Sequence, residues 1–346
     1  MINRVLVAMS GGVDSSTTAA LLLKQGYEVE GVTMKLTAGL CCDLASAQAV
    51  CRLLGIPHRV IDAQAGFDKS VIGNFIAEYR RGRTPNPCIR CNEIIKFTTL
   101  LSYAISNGFD LLATGHYARV EHNPASGRYL LRKGIDPDKD QSYFLYRLTQ
   151  DQMRHLLFPL GGYRKTDVRK LASEMKLPAA DRPESQEICF VPDNNYRAFL
   201  KEHAPGTLQP GELVLTDGTV VGRHEGVAFF TVGQRRNLGV AAGERLYVIR
   251  IEPDRNRVVL GRPDELETME MLLSHPTFIP FDTLTSPLEV DVRIRYRSKA
   301  IPAVIEPAGS DRVLVRFRSP AAGVSPGQAG VLYQGDTVIG GGIIEG

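Results

Sequence analysis

Val5-Leu6-Val7-Ala8-Met9 is an apolar run of strand length, and it passes without a spacer into Ser10-Gly11-Gly12-Val13-Asp14-Ser15-Ser16. Two adjacent glycines let the backbone turn tightly with its N–H groups outward. Ser15, Ser16, Thr17 and Thr18 then open a helix whose positive end favours an anion. Strand, glycine turn and helix start in this order build a phosphate cradle, so the chain is expected to begin with an α/β domain. The turn is not the loop of kinases and GTPases, which separates its glycines by four residues and follows them with Lys. Here the glycines touch and no Lys follows. A turn of this kind suits cleavage of ATP between the α and β phosphates. The expected nucleotide contacts are Ala8, Met9, Ser10, Gly11, Gly12, Val13, Asp14 and Ser15.

The 346 residues correspond to two or three domains at about 150 residues each. A hydrophobic share of 43% and a charged share of 23% are ordinary globular values. No apolar run approaches the ~20 residues of a membrane helix, and the N-terminal run is too short for a signal peptide, so a cytoplasmic protein is expected. Six cysteines without an export signal point to thiol chemistry or metal ligation rather than a disulfide framework. With 41 basic and 38 acidic residues the chain has no strong global field, and nucleic-acid binding would need local basic patches.

As far as Ala118 the sequence alternates short apolar runs with helical stretches, the pattern of parallel α/β units. Expected strands are Val5–Met9, Val29–Lys35, His58–Asp62 and Leu111–Thr114. Expected helices are Thr17–Gln25, closed by Gly26, and Ala45–Leu54, closed by Gly55. Such sheets bind ligands at the carboxyl ends of their strands, which adds Met34 and Gly115 to the nucleotide contacts. A hairpin is expected over Tyr117–Glu121 and Arg128–Lys133, then helix from Asp138 to Leu177 with Thr166 as an N-cap. After Pro192 short β-prone runs take over. Val290, Val292, Ile294 and Tyr296 alternate with Asp291, Arg293, Arg295 and Arg297, as a half-exposed strand with a basic face would. Gly340-Gly341-Gly342 reads as a turn. The expected division is a nucleotide domain over 1–195, a small β-rich domain over 196–270 and a β-barrel over 271–346.

Arg80-Arg81-Gly82-Arg83-Thr84-Pro85-Asn86-Pro87-Cys88-Ile89-Arg90-Cys91-Asn92 is a stiff, basic segment carrying a Cys-x-x-Cys pair. Nearby cations and a helix start at Asn92 are expected to depress a thiol pKa, as a sulfur nucleophile or metal ligand requires. The third thiol of interest, Cys189, follows about a hundred residues later, and spacing alone cannot place it.

Ala8–Ser16, Thr84-Pro85-Asn86-Pro87, Ala113-Thr114-Gly115-His116-Tyr117, Lys139-Asp140-Gln141-Ser142-Tyr143-Phe144-Leu145 and Ile188-Cys189-Phe190 occur in that order. Together with Thr231-Val232-Gly233-Gln234-Arg235-Arg236, Arg295-Tyr296-Arg297, Pro326-Gly327-Gln328 and Gly340–Glu345, they make the chain resemble the bacterial tRNA-specific 2-thiouridylase family over essentially its whole length. The resemblance implies a PP-loop, or adenine-nucleotide α-hydrolase-like, domain followed by two small β-rich domains. It implies a sulfurtransferase that uses ATP with Mg2+ to adenylate the C2 oxygen of a wobble uridine and then replaces it with sulfur.

The resemblance further implies that Cys189 carries a persulfide supplied by a cysteine-desulfurase relay. Cys91 would be its partner thiol, the two ending in a Cys91–Cys189 disulfide that a reductant reopens. Asn86, Pro87, Cys88, His116, Lys139, Asp140, Gln141, Arg295, Tyr296 and Gln328 would meet the tRNA, its uridine turned out of the stack. The oligomeric state expected is a monomer. Position 88 departs from the best-known members, which carry an acid–base Asp there. Cys88, Cys91 and Cys189 could instead hold a [4Fe-4S] cluster with one iron open for sulfide, or a structural zinc, with Cys41, Cys42 or Cys51 as further thiolates. The alternatives in other classes are an amidotransferase-type synthetase with the same turn and a non-catalytic RNA-binding protein. No glutaminase signature accompanies the turn, and three placed thiols weigh against a purely structural nucleotide fold.

Overall fold

Val5, Leu6 and Val7 have no exposed surface, because the strand they form lies at the centre of a five-stranded parallel sheet. The structure, a computed structural model, describes residues 3–37, 43–178, 180, 188–240 and 245–345. Cys41, Cys42 and the stretch 181–187 before Cys189 lie outside the described residues. The chain divides into two units. One comprises Met1–Val71, Cys88–Phe190 and Asp336–Val338, and the other Ile72–Pro87, Val191–Gly335 and Ile339–Gly346.

The strands of the first unit are β1 (Arg4–Ala8), β2 (Glu28–Lys35), β3 (His58–Asp62), β4 (Leu111–Ala113), the hairpin β5 (Ala118–Asn123) and β6 (Arg128–Lys133), and β7 (Leu156–Leu157). β1 to β4 agree with the expected strands to within a residue at each end. The sheet order is β3-β2-β1-β4-β7, all parallel. From β1 the chain winds outward through β2 and β3, then returns to β4 on the other side of β1. The connections leaving β1 and β4 therefore diverge and open a crevice at the carboxyl ends of these two strands, the ligand position of open α/β sheets.

Helix α1 (Val13–Lys24) starts at Val13 rather than the expected Thr17, because Gly12 adopts the extended conformation of an N-cap and its carbonyl accepts from the Ser16 amide at 3.2 Å. Helix α2 (Leu44–Leu54) is capped by Asp43, which accepts from the Ser46 amide at 2.9 Å, and is closed by Gly55 at φ 66°. The stretch expected to be helical from Asp138 is broken into short turns at Ser142–Leu145, Gln150–Met153 and Pro159–Gly162 before the helix Lys165–Glu174. Thr166 is not its N-cap. Asp136 reaches in from the loop after β6 and accepts from the Lys165 amide at 2.9 Å, which leaves that end no need of a local cap.

In the second unit the helices Gly73–Arg80 and Tyr196–His203 meet through Tyr79 stacked on Tyr196, with ring centroids 5.2 Å apart. Next come β8 (Gly211–Leu215), β9 (Val220–His224), β10 (Tyr247–Glu252) and β11 (Arg257–Gly261), in the order β10-β11-β8-β9. A six-stranded antiparallel barrel follows: β12 (Glu267–Phe278), β13 (Leu288–Arg293), β14 (Ile301–Pro307), β15 (Arg312–Ala322), β16 (Ala329–Gln334) and β17 (Thr337–Ile344). Its interior is filled by alternate residues such as Leu273, Val292, Ile305, Val315 and Leu332. β13 ends at Arg293, so Arg295 and Arg297 sit in the turn beyond it rather than along a strand face.

β12 pairs with both β15 and β17 and so closes the barrel. At this seam the expected turn at Gly340-Gly341-Gly342 proves to be strand. Gly341 and Gly340 pair with Thr277 and Phe278, just past a register shift in β12. A Cβ on Gly340 would stand 1.9 Å from the Thr277 carbonyl oxygen, so the glycines serve a close crossing of strands. Gly340→Ala is expected to lower stability by about 3 kcal/mol in denaturant unfolding. Gly335→Ala, at φ 59° but with open space around it, should cost only about 1 kcal/mol.

Candidate active site

The glycine turn sits at the crevice between β1 and β4. Gly11 has φ 80°, and a Cβ there would lie 2.5 Å from the Asp43 carbonyl oxygen, so the turn packs directly against the start of α2. Gly115, just after β4, is as constrained: its Cβ would stand 3.0 Å from the Asp14 carbonyl carbon, the Asp14 Cβ and the Ser15 amide nitrogen. Glycine at both positions brings two strand ends and two helix starts within backbone contact, a site for an anion. Met9 and Met34 are buried at the neighbouring ends of β1 and β2. Three of the helix hydroxyls turn back onto the chain. Ser16, Thr17 and Thr18 donate to the carbonyls of Gly12, Val13 and Asp14 at 2.8, 2.8 and 2.9 Å, because buried hydroxyls at a helix start satisfy the preceding turn. Ser10 is the exposed hydroxyl, 3.3 Å from Ser15 Oγ.

Asp14 is held from two later segments. Lys165 Nζ donates to its Oδ1 and Oδ2 at 2.7 and 2.8 Å, and the Tyr117 hydroxyl donates to Oδ1 at 2.7 Å. Lys165, at the first position of a polar helix, carried no signal in the sequence. Only the Lys165 amide capped by Asp136 shows how the helix start is aimed.

Cys88 lies in the helical turn Pro87–Arg90. Cys91 is buried and opens a π-helical stretch, Cys91–Leu100, while Cys189 is exposed. The three thiols and the Lys96 ammonium sit close enough for their charges to act on one another. Five-residue spacing in a π-helix sets Lys96 about one turn beyond Cys91. Burial nevertheless wins over the cation. Cys88 opens to solvent yet is crowded by protein on its other sides, and desolvation pushes its thiol up to about 11, with Lys96 opposing the shift and Cys189 and Cys91 adding to it. Cys91 is raised by the same desolvation, against Lys96. The expected depression is thus reversed, because desolvation outweighs the nearby cation at both thiols. Arg90 contributes little free charge, since it pairs with Glu93 at 3.1 Å, and Glu93 also takes Arg147 at 2.9 Å. Cys51 is a core thiol pushed to about 11 by burial.

None of the four described cysteines is in a disulfide. Among the described residues no three His, Cys, Asp or Glu side chains are gathered as a metal-ligand set, Cys88, Cys91 and Cys189 included.

His116 joins the two halves of the site. It follows Gly115, its Nδ1 lies 2.6 Å from Thr114 Oγ1, and its Nε2 lies 3.5 Å from Lys96 Nζ. The ring is buried between Phe97 and Phe158, which, with the Lys96 charge, drives its pKa well below 6.5 and keeps it neutral.

The residues expected at the tRNA divide in two. Asp140 is buried and accepts from the Gly134 and Ser142 amides at 3.1 Å each, and Gln141 accepts from the Tyr117 amide at 3.0 Å. In the second unit Gln328 Nε2 donates to the Thr84 carbonyl at 3.0 Å, and Arg295 Nη2 donates to the Val232 and Gly323 carbonyls at 2.8 Å each. These four shape the fold. Asn86, Lys139 and Tyr296 are half-buried.

A parallel sheet with a Ser-Gly-Gly-x-Asp-Ser turn at its switch point defines an ATP-pyrophosphatase of the PP-loop class. Residues 3–193 match a family model described as a tRNA methyl transferase HUP domain, 197–262 its PRC-barrel domain, and 268–344 an aminomethyltransferase β-barrel domain. The chain is 50% identical over 356 aligned residues to the tRNA-specific 2-thiouridylase MnmA of Desulforamulus reducens, covering 99% of this chain and 97% of that one. It is 49% identical to the MnmA of Carboxydothermus hydrogenoformans, with the same coverage. The chain belongs to the tRNA-specific 2-thiouridylase family. A 4-thiouridine synthetase solved with RNA and ATP is more distant, at 17% identity over 59% of this chain and 50% of that one, with a TM-score of 0.37.

Removing the Lys96 cation should raise both thiol pKa values further and lower the thiolate fraction at any given pH. At pH 8, iodoacetamide labelling of Cys88 and Cys91, followed by peptide mass mapping, is expected to be slower in Lys96→Met than in the unmodified chain. In both proteins the Cys88 rate should keep rising toward pH 11.

Proposed function

We propose that this chain is an ATP-dependent sulfurtransferase that converts the wobble uridine of tRNA to 2-thiouridine, with AMP and pyrophosphate as products. The observation that carries this reading is the segment Thr114–Tyr117. Gly115 and Tyr117 lie on Asp14 of the anion turn, while His116 lies on Lys96 beside the thiols. Adjacent residues of one four-residue segment thus touch the anion turn and the neighbourhood of the thiols. The family relationship gives this juxtaposition its substrate.

ATP would occupy the turn with its phosphates on the backbone amides around Ser10–Ser15 and its base near Met34 and Gly115. Mg2+ is held largely by phosphate oxygens and water, so the turn need offer few carboxylates, and Asp14 is at hand. The uridine C2 oxygen attacks the α-phosphorus, the bond to the bridging oxygen breaks, and pyrophosphate leaves with the electron pair. AMP is then a far better leaving group than oxide.

Cys189 carries the incoming sulfur as a persulfide, delivered by a cysteine-desulfurase relay. Its terminal sulfur attacks C2, and the C2–O bond breaks to release AMP. Cys91, having lost its proton to solvent, attacks Cys189 Sγ. The sulfur–sulfur bond of the persulfide breaks, its electron pair stays on the sulfur bound to C2, and a Cys91–Cys189 disulfide forms. A thiol reductant reopens it. Lys96 favours the Cys91 thiolate against the desolvation that opposes it. The uridine is turned out toward Asn86, Pro87 and Cys88, with further contacts at Lys139 and Tyr296, while His116, Asp140, Gln141, Arg295 and Gln328 hold the backbone that presents them. In this division of labour residues 1–195 perform the chemistry, and 196–270 and 271–346 grip the tRNA.

Incubation with tRNA, ATP and a persulfide donor, read by mass spectrometry of nucleosides, should give 2-thiouridine and AMP. Cys91→Ser and Cys189→Ser are each expected to lower thiolation by a factor of about 100 or more, the scale of losing an essential nucleophile. Cys88→Asp, which restores the residue common in the family, should retain it. Full thiolation by either serine variant would refute the persulfide assignment.

A further inference from the structure

Lys165 has no part in the reaction as set out above, yet it is placed at the mouth of the anion turn. It lies 151 positions after Asp14 in the chain, its side chain is 8% exposed, and it holds both oxygens of that carboxylate. Its aim is fixed at both ends. Asp136 caps its backbone amide at 2.9 Å, and the Tyr117 ring lies 5.5 Å from Nζ while the Tyr117 hydroxyl donates to the same carboxylate. Asp14 stands in the first turn of α1, where its own negative charge would oppose an incoming polyphosphate. A buried ammonium at this position offsets that charge, and it is within a short side-chain movement of whatever the turn binds.

We propose that Lys165 supplies the cation that the glycine turn lacks: paired with Asp14 in the free protein, it contacts the β-phosphate end of ATP when nucleotide enters and stabilises the departing pyrophosphate. This deepens the reading under Proposed function and rests on it. As the C2 oxygen bonds to the α-phosphorus, the electron pair of the breaking bond adds charge to pyrophosphate. An ammonium already placed at the turn meets that charge. AMP lacks the β and γ phosphates and draws nothing from it.

Titration calorimetry of the full chain with ATP, AMP and inorganic pyrophosphate separates these ligands. Lys165→Met is expected to weaken ATP and pyrophosphate binding about tenfold or more, the loss of a charge-assisted contact, and to leave AMP binding unchanged. Lys165→Arg should recover part of the loss. The double variant Asp14→Asn with Lys165→Met removes the uncompensated carboxylate, which protects the fold, and is expected to remain weak for pyrophosphate. Recovery of wild-type pyrophosphate affinity by the double variant would reduce Lys165 to a neutraliser of Asp14 and overturn the contact. Equal weakening of ATP and AMP in Lys165→Met, or no weakening, would overturn it as well. A wild-type chain that bound neither ATP nor pyrophosphate would instead overturn the ATP reading itself.

Discussion

The Asp14 carboxylate is where the first unit is tied together. It begins α1, and it is held by Lys165 from a helix start late in the unit and by Tyr117 from the segment after β4. Breaking a buried ion pair by deleting one partner costs about 3–5 kcal/mol, and the 34% exposure of Asp14 sets this pair toward the lower end. The pair can form only because Gly115 lets β4 end against the turn with no side chain between. One carboxylate therefore fixes the distance between the nucleotide crevice and the segment leading to the thiols.

At the thiols, burial opposes a nearby cation and prevails. Desolvation raises Cys88 and Cys91 and keeps both protonated at neutral pH, while Lys96 pulls the other way. A thiol kept protonated at rest resists oxidation and stray alkylation. Such a thiol becomes a nucleophile only where added positive charge or regained water lowers its pKa. His116, buried and neutral beside Lys96, leaves that ammonium as the local positive charge facing the thiols rather than one of two.

Several motif residues owe their presence to backbone positioning as well as to any ligand. Gln328 and the Pro326 carbonyl grip the two sides of Thr84, at 3.0 and 2.8 Å, so the barrel holds the loop that leads into Pro85-Asn86-Pro87. A Cβ on Gly327 would meet the Thr84 amide nitrogen at 2.9 Å, which explains glycine in Pro326-Gly327-Gln328. Arg295 ties two loops by their carbonyls in the same way. A motif can thus mark a functional site through the side chains that shape it.

Much of this was legible in the sequence. Local features with short-range causes could be read directly: β1 to β4 from buried apolar runs, the glycine turn, the Gly55 close of α2, the hairpin and the barrel's alternating residues. The order of motifs gave the family. Three kinds of feature could not be read. The triple glycine in β17 looked like a turn because its cause, the Thr277 carbonyl at the barrel seam, lies more than sixty positions away. The thiols seemed destined for low pKa because flanking arginines are visible in sequence whereas desolvation and the Arg90–Glu93 pairing are not. Lys165 was invisible because a lysine opening a polar helix carries no signal until folding sets it on Asp14. The sequence by itself determined which groups were present and the local turns that display them. The tertiary structure alone decided which distant charges meet and which thiols lose their water, because electrostatic energy depends on distance and dielectric in space rather than on separation along the chain.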